Sequence, residues 1–89
     1  MAKVVYYSGD VQGVGFRATA VRVARLHPTV RGRVRNLADG RVELLADGSA
    51  EAVETFLVDV RSRMADHIAA EEVTEREGDD ALTGFRVVG

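Results

Sequence analysis

Two stretches of helical spacing, each framed by short segments of two-residue alternation, leave this chain few possible folds. Residues 3–8 are rich in valine and tyrosine and stop at Gly9, which predicts a strand running into a turn. Phe16, Ala20, Val23 and Ala24 then recur at helical spacing, so a helix is expected over 16–27, stopped by Pro28. Residues 30–37 alternate Val30, Gly32 and Val34 with Arg31, Arg33 and Arg35, the pattern of a half-buried strand. Asp39-Gly40 signals a hairpin, with 41–46 as the return strand. Ser49 is a good N-cap with Glu51 in the first turn, and Val53, Phe56, Leu57, Val60 and Met64 make one apolar stripe behind it. An acidic strand over 68–77, a loop at Gly78-Asp79-Asp80 and a short strand over 84–88 complete the chain. The predicted order is β-α-β-β-α-β plus one appended strand, with both helices on one face of an antiparallel sheet.

Its 89 residues suffice for a single domain and one core. A chain of this size buries roughly 60 to 65% of its unfolded surface, so it needs no staple. The absence of cysteine excludes disulfides and thiolate sites. Its first residues, MAKVVYY, lack the layout of a secretion signal, and no apolar run approaches the ~20 residues that span a bilayer. The expectation is a soluble cytoplasmic protein.

Charge is segregated along the chain. From Arg17 to Arg41 there are seven arginines and one acid, whereas from Val42 to Asp80 there are twelve acids and three arginines. This suits attraction of a small anion to one part of the surface and argues against wrapping a long polyanion. Most such charges are nevertheless ordinary solvated faces.

A helical crossover between the first two strands makes them run in the same direction, so the loop after the first, Phe16-Arg17 and Asn36 should meet at one edge. That loop, Gly9-Asp10-Val11-Gln12-Gly13-Val14-Gly15-Phe16-Arg17, has three glycines, which permit backbone angles that turn successive N–H groups inward. A helix N-terminus behind it adds positive charge, so an anion fits there. No Walker lysine or dinucleotide spacing is present, and an ordinary tight turn is the plain alternative. Arg17 in the first helical turn opposes the dipole unless an anion or a carboxylate such as Asp10 accompanies it, and a guanidinium can grip two phosphate oxygens. Asn36 shares the buried parity of Val30 and Val34; its amide suits the holding of a water, or else the capping of the hairpin that follows. His27 reads as a dipole partner at a helix end and His67 lacks metal-ligand company. Glu71, Glu72, Glu75 and Glu77 read as a solvated edge strand, and no nucleophilic triad is evident.

GDVQGVGFR and GRVRNLADGRVELLADG resemble the two signatures of the acylphosphatase family, in order and over most of the chain. The resemblance implies a ferredoxin-like α/β sandwich in which Arg17 binds phosphate and Asn36 orients the attacking water. The amides of Val11, Gln12, Gly13, Val14, Gly15 and Phe16 would form the cradle. It implies a monomer that hydrolyses a small acyl phosphate and releases inorganic phosphate, with no cofactor, metal, nucleic acid or membrane. Three positions depart from the family pattern: Tyr7, usually aliphatic; Arg33, usually aromatic; and Asp10, often basic or neutral. An acid at Asp10 is expected to weaken phosphate binding, and Arg33 to offset it from the same edge. An acyl phosphate expels a carboxylate, which needs no strong acid catalyst. Two competing readings are a non-catalytic anion-binding module and an RNA-binding sheet, the latter short of stacking aromatics on the arginine strand.

Overall fold

The computed structural model describes residues 1–78 and 81–88. Its elements are β1 (Ala2–Gly9), α1 (Phe16–Arg25), β2 (Arg31–Asn36), β3 (Val42–Asp47), α2 (Ala50–Met64), β4 (Ile68–Arg76) and β5 (Phe85–Val87). The sheet order is β4-β1-β3-β2-β5. The four longer strands pair antiparallel, as expected, while β5 pairs parallel with β2 and makes the complete sheet mixed. Asp79 and Asp80 of the expected acidic loop lie outside the described residues.

Local signals explain the boundaries. α1 ends two residues before the expected His27, because Pro28 disfavours helical angles in the residue before it. α2 starts where the sequence predicts, with Ser49 Oγ accepting the Ala52 amide hydrogen at 3.1 Å. Asp39 shapes the β2–β3 turn by accepting the Arg41 N–H at 3.0 Å, with Gly40 at φ 94°.

Both helices lie on one face of the sheet. The core joins Val5 and Tyr7 of β1, Val34 of β2, and Val42, Leu44 and Ala46 of β3 to Phe16, Ala20 and Val23 of α1 and Val53, Phe56 and Val60 of α2. Each fully buried aliphatic or Phe side chain contributes about 1.5–3 kcal/mol. Phe85 of β5 reaches this core and lies 5.3 Å, centroid to centroid, from Phe56. The opposite face carries a small cluster of Ala2, Val4 and Leu45, with Tyr6 and Leu82 against it. β4 is an edge strand with an exposed acidic row, which blunts further pairing. Among the described residues no helix is long and apolar enough to cross a membrane.

Candidate active site

β1 and β2 each pair antiparallel with β3, which lies between them. They therefore point the same way, and their C-terminal ends share one edge of the sheet. The loop leaving β1, the start of α1 and the last residue of β2 enclose a hollow of about 330 Å³ there, lined by Val11, Gly13, Gly15, Phe16, Arg17 and Asn36. Ala18 and Val87 complete its wall.

The loop holds its shape by glycine geometry and by two anchors. Gly13 and Gly15 have φ 79° and 81°, and a side chain at either would meet nothing within 4 Å, so the demand is on the backbone angle. The first anchor is packing: Val11 and Phe16 are fully buried, Val14 packs against the core, and Phe16 meets the Tyr7 ring at 4.7 Å. The second is Gln12, whose Nε2 donates to the carbonyl oxygens of Leu37 at 2.7 Å and Arg41 at 3.0 Å. Gln12 and Val14 thus face away from the hollow and brace it from behind.

Three features make the hollow receptive to an anion, and a fourth suits a water beside it. Among the described residues the amides of Val11 to Gly15 have no protein acceptor, and the first bond of α1 runs from Thr19 N to Gly15 O at 2.9 Å. Gly15 caps α1 without a side-chain acceptor, and no acid occupies its first turn. Arg17 lines the hollow with no ion pair or hydrogen bond among the described residues, so the alternative pairing with Asp10 does not form. Among the described residues Asn36 Oδ1 is buried and has no partner, an acceptor free for a water. The hairpin is closed instead by Asp39 and Gln12, so Asn36 is not its cap.

The chain as a whole matches a known family. A family model described as Acylphosphatase matches residues 3–87. The chain belongs to the acylphosphatase family. An acylphosphatase of a Synechococcus species is 57% identical over 53 residues, covering 60% of this chain and 55% of that protein. The matched stretch thus spans about half the length of that curated relative. The crystal structure of acylphosphatase from Bacillus subtilis superposes with a TM-score of 0.84 at 30% identity, over all of both chains. An acylphosphatase structure from Coxiella burnetii gives 0.81 at 27% identity, covering 98% of this chain and 90% of that one.

Within this acylphosphatase scaffold the three departures take definite places. Asp10 is 81% exposed and lies 4.0 Å from His67 Nδ1, outside the lining of the hollow. Tyr7 is fully buried with its hydroxyl unpartnered. Arg33 does not offset Asp10 as expected: it faces the helix-free side, since its strand neighbours Val34 and Gly32 are the buried ones. The arginine segregation also dissolves on that side, where Arg31 pairs with Asp47 at 3.1 Å and Arg35 with Glu43 at 2.8 Å. His27, read from sequence as a dipole partner at the helix end, ties the turn after α1 to Asp59 of α2 at 3.1 Å. Among the described residues no three His, Cys, Asp or Glu side chains converge as a metal-binding group. Val87 and the bracing of Gln12 had no sequence signal, because both depend on contacts across strands distant in the chain.

Proposed function

We propose that this chain hydrolyses the carboxyl–phosphate bond of small acyl phosphates, as a monomer in the cytoplasm. One observation carries the reading: an arginine, loop amides and a buried amide oxygen, all without partners among the described residues, converge on the same hollow. A buried orphan such as Asn36 Oδ1 costs free energy, and a phosphoryl group with its attacking water would satisfy it together with the more exposed arginine and loop amides.

In this reading the amides of Val11 to Phe16 and the Arg17 guanidinium hold the non-bridging phosphoryl oxygens. Asn36 Oδ1 accepts a hydrogen bond from water and turns its lone pair toward phosphorus, in line with the acyl oxygen. The water oxygen forms the new bond to phosphorus. The bond from phosphorus to the acyl oxygen breaks, and its electron pair leaves with the carboxylate. One water proton passes to solvent or to a phosphate oxygen. No general base is required, because preorganised donors stabilise the transferring group and an amide only positions the nucleophile.

Hydrolysis of benzoyl phosphate in chelator, with Arg17→Ala and Asn36→Ala beside the parent protein, tests this. Each variant should stay folded and lose about 10²- to 10³-fold in kcat, the usual cost of one such donor. Neither should lose stability, since Arg17 opposes the α1 dipole and Asn36 Oδ1 is an orphan. An inert parent protein that phosphate still protects against heat would instead make the chain an anion-binding module.

A further inference from the structure

The parallel pairing of β5 with β2 sets Arg33 directly opposite Arg86. Like charges opposed across strands destabilise a sheet unless something neutralises them. Among the described residues nothing does. The acids of β3 and of the β2–β3 turn are engaged elsewhere: Asp47 with Arg31 and the N-terminal amine, Glu43 with Arg35, and Asp39 with Arg41. Arg33 acts on Glu43 only at longer range. Among the described residues Arg86 reaches no carboxylate, and its Nη2 lies 3.4 Å from Thr83 Oγ1.

Arg33, Thr83 and Arg86 line one hollow of about 160 Å³, on the face away from both helices. Its floor is Gly32 and its wall the segment 81–83. A Cβ at Gly32 would collide with the Leu45 carbonyl and crowd the Phe85 ring, so the backbone comes unusually close there. Two guanidinium groups with no carboxylate partner among the described residues, and a hydroxyl that accepts a long bond from one of them and keeps its own hydrogen to donate, have the chemistry that takes a tetrahedral oxyanion.

We propose that this hollow is a second oxyanion site, selective for phosphate over a carboxylate, in which Arg33 and Arg86 hold the ligand from adjacent strands and Thr83 donates a further hydrogen bond. Its occupancy couples to the first site through β5. Val87, the next residue after Arg86, lines the hollow of Arg17 and Asn36, and β5 holds to β2 by only three paired residues. An anion bridging Arg33 and Arg86 removes their repulsion and fastens that wall in place.

The site is tested by titrating inorganic phosphate into Arg17→Ala protein, following backbone amides by NMR, with chloride and acetate at matched ionic strength. The amides of Arg33, Thr83 and Arg86 should shift saturably with phosphate alone. Adding Arg33→Gln or Arg86→Gln should weaken that response about tenfold, the loss of one charge-assisted hydrogen bond, while the remaining amides stay in place. In phosphate-free buffer either substitution should also raise the melting temperature by relieving repulsion. An equal response to chloride, or a phosphate response that survives both glutamine variants, overturns the proposal. A phosphate response confined to residues 11–18 of the parent protein overturns it too, while leaving the reading of the first site intact.

Discussion

Gln12 Nε2 lies 2.7 Å from the carbonyl oxygen of Leu37, a bond that ties the glycine loop to the residue following Asn36. The same amide group donates to Arg41 O at 3.0 Å, so one side chain closes the mouth of the β2–β3 hairpin and fixes the loop against it. This bond sets the spacing between the anion cradle and the proposed water site.

Gln12→Ala should therefore cost about 1–2 kcal/mol of stability and lower kcat about tenfold, with a smaller change in KM. Gln12→Glu should be worse in both respects, because a carboxylate has no hydrogen to donate and would face two carbonyl oxygens. Denaturant melts and steady-state kinetics on both variants check the order. If glutamate equals alanine, the carboxamide is not acting as a donor.

Tyr7 offers a stabilising change. Burial, then the negative charge of Glu71, pushes its phenol well above the ordinary range, and the hydroxyl has no partner. Tyr7→Phe keeps the ring contact with Phe16 and removes the orphan group. The expected gain is about 1 kcal/mol, or a rise of about 4–8 °C in Tm for a domain of this size. A lower Tm would show that the hydroxyl is satisfied by a bound water.

Acid sensitivity should be traceable to Asp59. Hydrogen bonds from Arg63 and then His27 hold its carboxyl below the usual range. A depressed folded value means that the stability it contributes is fully present above the unfolded pKa of about 3.9 and is lost as pH falls through the lower folded value. Asp59→Asn should flatten the dependence of Tm on pH in that acid window and leave it unchanged near neutrality. An unaltered slope would place the acid-sensitive groups elsewhere. The effect should be small, because Asp59 and Arg63 are partly solvated.

Two glycines with positive φ should respond differently to alanine. At Gly9, φ is 121° and a Cβ would sit 2.6 Å from both Ala69 N and His67 O, so Gly9→Ala combines strain with a backbone clash. It should cost more than about 2 kcal/mol. At Gly40, φ is 94° with nothing within 4 Å, and alanine should cost about 1 kcal/mol. Equal losses in chemical denaturation would mean that β4 shifts to make room.

The element order was legible because each local pattern agreed with the others. Alternation at Val30, Gly32 and Val34, the Asp39-Gly40 turn and the Ser49 cap are all decided within a few residues of backbone, where sterics and local hydrogen bonds act. The glycine loop was legible for the same reason, and the parity of Asn36 already set it on the buried side. Tertiary structure decided what those residues meet. Only the antiparallel pairing of β3 with both β1 and β2 brings Asn36 to the hollow that Arg17 lines. The same pairing turns Arg33 to the far face, where a parallel β5 sets it against Arg86. Charge counted along a sequence cannot foresee this, because Coulomb interactions follow distance in space, and the strand pairings that set those distances join residues far apart in the chain.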